Sequence, residues 1–147
     1  MTPYLILDNG MLDTLTRAAK SGIEVCIIMP HIPDKWYAFA VAKTYYRELI
    51  EAGVNIYEFT PGFVHAKVFV SDDDTAAVGT VNLDYRSLYL HFECGAFIYN
   101  NSEIDRIERD FQQTLAKCHK VTLIEVKNRS LLTKISGQIL RLIAPLM

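Results

Sequence analysis

Residues 63–100 read FVHAKVFVSDDDTAAVGTVNLDYRSLYLHFECGAFIYN, and the fold turns on how this stretch is laid out. Its first eight residues, Phe63 to Val70, are rich in β-branched and aromatic side chains and run into Ser71-Asp72-Asp73-Asp74, which predicts a strand closed by a turn. Side chains alternate along a strand, so His65 and Lys67 are expected on one face and Val64, Ala66, Val68 and Val70 in an apolar layer. An imidazole and an ammonium whose Cα atoms are roughly 7 Å apart can hold one small anion between them. After the turn, Ala76 to Val78 predicts a short strand ending at Gly79-Thr80-Val81-Asn82. There a glycine admits close backbone approach and an amide side chain can hydrogen-bond an oxygen. Glu93 opens the next apolar run, to Tyr99, and is expected to accept the second ring N–H of His65 and so select its tautomer.

These residue types suit phosphoryl transfer. Imidazoles titrate near pH 6.5, so near neutrality they can attack phosphorus or relay a proton. A lysine places fixed positive charge on the non-bridging oxygens, where the transition state carries its charge.

The order His65-Ala66-Lys67, four residues, Asp72, six residues, then Gly79-Thr80-Val81-Asn82 resembles the signature of the phospholipase D superfamily, His-x-Lys-x4-Asp followed by Gly-Ser/Thr-x-Asn. Within it, the continuation NLDYRSLYLHFE and the lead-in TPYLILDNGMLDTLTRAAKSGIEV are most similar to the C-terminal half of bacterial cardiolipin synthases, over nearly the whole chain. The resemblance implies an α/β fold, an α/β/α sandwich with a mixed, mostly parallel sheet flanked by helices. It implies that His65, in a second copy of the motif, is the acid/base, that Lys67 and Asn82 hold phosphate oxygens, that Thr80 supports the pocket and that Glu93 orients His65. Asp72 completes the signature and is expected to tie the motif loop to its neighbours. No metal or cofactor is expected, because lysines and amides can supply the positive field. The implied substrate is phosphatidylglycerol, at the cytoplasmic face of a bacterial cell membrane. The implied partner is the N-terminal half with the first motif, or a second copy of this chain. Thr2-Pro3-Tyr4 would then fall in the middle of a longer enzyme.

The 147 residues, half of them hydrophobic, suffice for one domain with a real core but not for two. A net charge of −2 offers no general attraction for nucleic acid, whose binding leans on many lysines and arginines. Three cysteines, Cys26, Cys94 and Cys118, lack metal-type spacing and read as reduced thiols. No run of about eighteen apolar residues predicts a membrane span.

Before the motif, Tyr4 to Leu7 predicts a strand ending at Asp8-Asn9-Gly10; Asp8 is either a pocket residue or the cap of the helix that follows. Ile23 to Met29 predicts a central strand, Trp36 to Ala52 a helix and Val54 to Phe59 a third strand, an alternation that argues for a sheet covered by helices. His31, beyond the end of the second strand, is expected to be a solvated loop residue. Arg86 is expected to pair with Asp72 or Asp84. Asn101 or Ser102 should cap a charged helix running to about Lys120 with Ile104, Ile107, Phe111 and Leu115 as its buried stripe, and Val121 to Val126 should add a short strand. The catalytic half-domain is placed at residues 1–126 and an amphipathic helical tail at 127–147. In that tail Leu131, Leu132, Ile135, Ile139, Leu142 and Ile143 share one side. This side either lies on a lipid surface or docks on the domain core or a partner.

Three function classes follow: a phosphatidyltransferase making cardiolipin through a phosphohistidine, another phosphodiesterase or nuclease acting as a homodimer, and an inactive half that needs the first motif.

Overall fold

The computed structural model describes residues 1–146, so Met147, the end of the expected tail, lies outside the described residues. The chain opens with β1 (Leu5–Ile6), α1 (Asn9–Lys20), β2 (Cys26–Pro30), α2 (Trp36–Glu51) and β3 (Asn55–Phe59). β2 and β3 pair in parallel from Cys26↔Asn55 to Pro30↔Phe59, and Ile27, Ile28 and Met29 are buried, as a strand covered on both faces requires. The motif region forms an antiparallel meander of β4 (Val68–Ser71), β5 (Thr75–Gly79) and β7 (Gly95–Tyr99), while β6 (Leu83–Asp84) returns parallel to β1. Then come α3 (Glu103–Leu115), β8 (Cys118–Lys120) antiparallel to β3, α4 (Leu123–Asn128), α5 (Leu131–Leu142) and a 3₁₀ turn at Ala144–Leu146.

The first two residues knit these patches into one mixed sheet. Thr2 N–H donates to the Ile28 carbonyl at 3.1 Å on one side, and on the other Met1 and Val68 exchange both main-chain bonds, at 2.6 and 3.1 Å. Such a doubly bonded pair is antiparallel. Running back from Val68 antiparallel to the chain from Met1, the segment before β4 therefore heads toward the C-terminal ends of β1 and β2, so that Lys67 feels Asp84, paired with Ile6, and Asp34, beyond β2. Such ends are where open α/β sheets gather their ligands. The core is built from Leu5, Ile6 and Leu7, Met29, Ile56, and the α2 side chains Val41, Tyr45, Tyr46 and Leu49.

The α/β architecture with a mixed sheet and flanking helices is as expected. Its parallel pairs are β1–β6 and β2–β3, whereas everything contributed by the motif meander is antiparallel, because Asp72 and Asp73 both take positive φ (52° and 58°) and make a tight hairpin. The motif strand is shorter than expected: it begins at Val68, not Phe63. β5 ends at Gly79, whose N–H reaches the Lys67 carbonyl at 3.2 Å, so residues 63–66 have no ladder partner among the described residues. Val64, Ala66, Val68 and Val70 are half-buried. The strand expected at Val121 to Val126 is instead β8, ending at Lys120, because Thr122 and Glu125 form a reciprocal cap that starts α4. α3 stops at Leu115; its first free N–H groups are met by Asn101, whose side chain accepts from Glu103 at 2.9 Å, and of its expected stripe only Ile104 is fully buried. The boundary placed after residue 126 falls inside α4.

Candidate active site

His65 and Lys67 sit in the extended segment leading into β4, at the C-terminal ends of the parallel strands. Lys67 Nζ lies 2.9 Å from His65 Nδ1 and 3.1 Å from Nε2, and also donates to the His65 carbonyl at 2.9 Å. The Phe63 ring flanks the imidazole, with centroids 5.6 Å apart. The expected shared face is thus present, set by backbone extension alone. His65 is exposed and Lys67 half-buried; burial pulls the Lys67 ammonium below its ordinary pKa, opposed by the negative charges of Glu93, Asp84 and Asp34.

Glu93 faces Lys67 but does not take the His65 ring N–H as expected. Its carboxylate accepts from the Thr80 hydroxyl, and Thr80 Oγ1 in turn accepts from the Cys94 N–H at 3.0 Å. The Thr80 hydroxyl, then the Ser87 hydroxyl, hold the Glu93 carboxyl below the usual carboxylate range, with smaller help from the charges of His91 and Lys67. The physical reason is local: Gly79 and Gly95 face each other across β5 and β7, bringing Thr80 against Cys94, so the nearest donor to Glu93 is the cross-strand hydroxyl. Asn82 gives its amide N–H to Ser87 Oγ at 3.1 Å, and its Oδ1 is buried without a partner. A phosphate oxygen would therefore have to draw Asn82 away from Ser87.

Ser87 lies in the segment Asp84–Ser87 that the resemblance sets behind the phosphate pocket, but sequence reasoning gave it no role of its own. It is buried, serves both Asn82 and Glu93, and its own N–H is held by buried Asp84 at 2.7 Å. The signal was the Asp84-x-x-Ser87 spacing, a side-chain cap on the π-helical turn Arg86–Leu90. Arg86 donates to His91 at 3.3 Å rather than pairing with Asp72 or Asp84.

Asp72 is not brought into the site. It occupies the hairpin turn at the other end of β4, exposed, and accepts from Ser71 at 3.2 Å. Asp8 caps α1, accepting from Met11 N–H at 2.8 Å, and its second oxygen accepts from the Tyr89 hydroxyl at 2.5 Å, which ties the cap to the loop carrying Glu93. Tyr89 and then the Met11 N–H hold the Asp8 carboxyl below its ordinary value. His31 is exposed but not free: its Nδ1 lies 2.8 Å from Glu58, a buried carboxylate on β3 that the sequence reading left without a role.

The fold that carries this site is that of phospholipase D proteins. It is shared with the phospholipase D family member Nuc from Salmonella typhimurium, at TM-score 0.69 and 19% identity over 82% of this chain and 79% of that one. It is shared also with phosphatidylserine synthase from Haemophilus influenzae, at TM-score 0.70 and 18% identity over 99% of this chain and 38% of that one. The chain itself belongs to the family described as cardiolipin synthase, PLD-like domain, whose model matches residues 1–115. It is 53% identical over its full length to an uncharacterized protein of Streptococcus mutans, covering 32% of it, and 42% identical over 146 residues to a cardiolipin synthase of Clostridium perfringens, covering 31%. The chain thus spans about a third of the length of these relatives.

Proposed function

We propose that this chain supplies one half of the site of a cardiolipin synthase, with His65 as its acid/base. The observation that carries the reading is the Lys67 ammonium held beside the His65 imidazole at the open ends of the strands, facing the Thr80–Glu93 pair. In the first step the histidine of the other motif attacks the phosphorus of one phosphatidylglycerol, forming a P–N bond as the P–O bond to glycerol breaks. The proton carried by His65 goes to the departing glycerol oxygen. In the second step His65 takes the proton from a hydroxyl of another phosphatidylglycerol, whose oxygen displaces the histidine from phosphorus and yields cardiolipin. Lys67 stabilises the charge on the non-bridging oxygens throughout, and Asn82, once drawn from Ser87, adds a hydrogen bond to the same oxygens. Glu93 acts on Lys67 through charge and on the loop through Thr80. The other motif comes from the rest of a longer protein or from a second copy of this chain.

The test is a vesicle assay with labelled phosphatidylglycerol. It compares the chain alone, the chain combined with the preceding two thirds of a relative such as the Clostridium perfringens enzyme, and that combination carrying His65→Ala. Equal amounts of cardiolipin and glycerol from the intact combination, lost with His65→Ala, support the composite site. Activity of the chain alone points to a site shared between two copies. No product from a combination shown to associate, under conditions where the whole relative is active, overturns the proposal.

A further inference from the structure

Helix α5 rests on the domain through a narrow face and leaves most of its apolar side chains outside. Gly137 is buried against Thr44 and Ala40 of α2, and Arg141 lies over the Tyr45 ring at 4.0 Å. Thr133, Lys134 and Gln138 border a cavity of about 200 Å³ whose other walls carry Lys43, Arg47, Lys127 and Arg129. The narrow side that carries Gly137, Leu140 and Arg141 therefore faces the protein, and Ala144 is buried just beyond it. The apolar side of the helix, with Leu131, Leu132, Ile135, Ile139, Leu142 and Ile143, faces out, each between 48% and 82% exposed, and Leu146 continues the strip at 82%. Apolar side chains scattered singly on a surface need no explanation, but a contiguous stripe of seven does.

Charge says what covers it. Between residues 127 and 146 the cations are Lys127, Arg129, Lys134 and Arg141, and no aspartate or glutamate occurs, in a chain whose net charge is −2. Around the cavity Arg47 is answered by Glu51 at 3.0 Å and Lys43 faces Glu58 at 3.9 Å, whereas Lys127, Arg129 and Lys134 meet no carboxylate among the described residues. Burial holds Lys43 below its ordinary pKa, opposed by the Glu58 carboxylate and helped to a smaller extent by the Arg129 charge. The stripe itself is aliphatic, without the aromatic residues that mark protein interface cores. Aliphatic side chains outward with cations along their flank are what a helix lying in a headgroup layer presents.

We propose that α5 docks this protein on an anionic phospholipid surface, with the aliphatic stripe among the upper acyl segments and lipid phosphates at Lys127, Arg129, Lys134 and the cavity they border. The placement connects to the site. Arg141 rests on Tyr45, whose hydroxyl donates to the Leu7 carbonyl at 2.8 Å, next to Asp8, which holds Tyr89. Beside that tyrosine, Leu90 is 65% exposed and Phe92 wholly so, a second apolar edge at the rim of the site. This inference concerns binding and stands whether or not the chemistry proposed above is correct.

The test is flotation of the full chain with phosphatidylcholine vesicles, with and without phosphatidylglycerol. Binding is expected only with the anionic lipid. Lys127→Gln and Lys134→Gln should each weaken it about fivefold, and Leu132→Asn with Ile139→Asn at least tenfold, with the folded state kept at the cost of about 1 kcal/mol of helix propensity, because both side chains are mostly exposed. A gain readout does not depend on those variants: in a Trp36→Phe background, Leu132→Trp should shift its emission to the blue on anionic vesicles. Equal binding to both vesicle types, no binding, or an unshifted Leu132→Trp overturns the proposal. So does a dimer, or a complex with the rest of a longer protein, that the stripe substitutions dissolve while vesicle binding is untouched.

Discussion

Gly79 and Gly95 face each other across β5 and β7, yet alanine should be costly at one and harmless at the other. A Cβ built on Gly79 falls 2.4 Å from the Cys94 carbonyl oxygen and 2.6 Å from the Gly95 Cα, both main-chain atoms that cannot rotate aside. To reach ordinary contact the strands must part by about 1 Å. Overpacking of this kind costs about 1–3 kcal/mol. The same movement strains the two bonds between Thr80 and Cys94, at 2.9 and 3.0 Å, each contributing about 1 kcal/mol. Against this stands the lower chain entropy of alanine, about 0.5–1 kcal/mol. The net expectation for Gly79→Ala is a loss of about 2–4 kcal/mol. With a urea slope of about 2 kcal/mol per molar, the unfolding midpoint should fall by about 1–2 M. At Gly95 the Cβ meets the Val78 carbonyl at 3.4 Å and the Gly79 Cα at 3.7 Å, ordinary contacts, so Gly95→Ala should leave the midpoint within about 0.5 kcal/mol of the parent. Both variants are measured side by side by urea unfolding followed by far-UV circular dichroism. Equal midpoints for the two, in either direction, would refute the assignment of the close approach to Gly79. Because Thr80 and Glu93 move with the strand ends, Gly79→Ala should also lower activity in any assay that the parent passes, while Gly95→Ala should not.

The Asp8 cap should be visible in acid. Its folded pKa is depressed, so its contribution is complete above the ordinary carboxylate value of 3.8 and is lost as pH falls through the lower folded value. Urea midpoints followed downward from about pH 5 should therefore decline, and decline less in Tyr89→Phe, since the Tyr89 hydroxyl is the largest cause of the shift; parallel curves would remove that tyrosine from the cap. Gly137→Leu tests the mounting of α5. Even a Cβ there falls 2.9 Å from Thr44 Cγ2 and 3.0 Å from the Ala40 carbonyl, so leucine should cost about 1–3 kcal/mol and, by lifting the helix, increase proteolysis after Arg129. An unchanged midpoint and cleavage pattern would mean that α5 does not rest on α2 through this face.

The parts of the structure that sequence made legible are those set by local period. The alternation of β1, α1, β2, α2 and β3 follows from apolar spacing, and the neighbourhood of His65 and Lys67 follows from extension alone, even though those residues lie outside the strand proper. What sequence could not supply is competition between partners. A strand ends where its neighbour turns away, so β4 starts at Val68 although the preceding residues, from Phe63 on, have the right composition for more. Glu93 had two candidate donors, and the nearer one, Thr80, was fixed by a glycine pair whose facing is a matter of register. Asp8 was read as either a cap or a pocket residue; it is the cap, and through Tyr89 it also touches the loop of the site. His31 acquired its partner, Glu58, from a strand 27 residues later.

The orientation of α5 is the clearest case, and it carries a general point about amphipathic helices. Periodicity tells which side of a helix is apolar; it does not tell which side is inward. Here inwardness is decided by shape and by aromatic faces. Glycine at position 137 lets the α5 backbone approach within about a side chain's thickness of the Ala40 carbonyl, which no leucine side of the helix could do. Tyr45 and Tyr46 then offer ring faces to Arg141 at 4.0 Å and Arg129 at 5.1 Å, so charged residues pack on the domain without being stripped of favourable contact. Turning the helix over would bury the aliphatic stripe but would set Leu132 or Ile139 where only a hydrogen fits and would take the Arg141 guanidinium away from the Tyr45 ring. The sequence at 137 and 141 thus selects against the arrangement that would have hidden the stripe, and an outward aliphatic stripe becomes a property of the fold to be matched by whatever surface the protein meets.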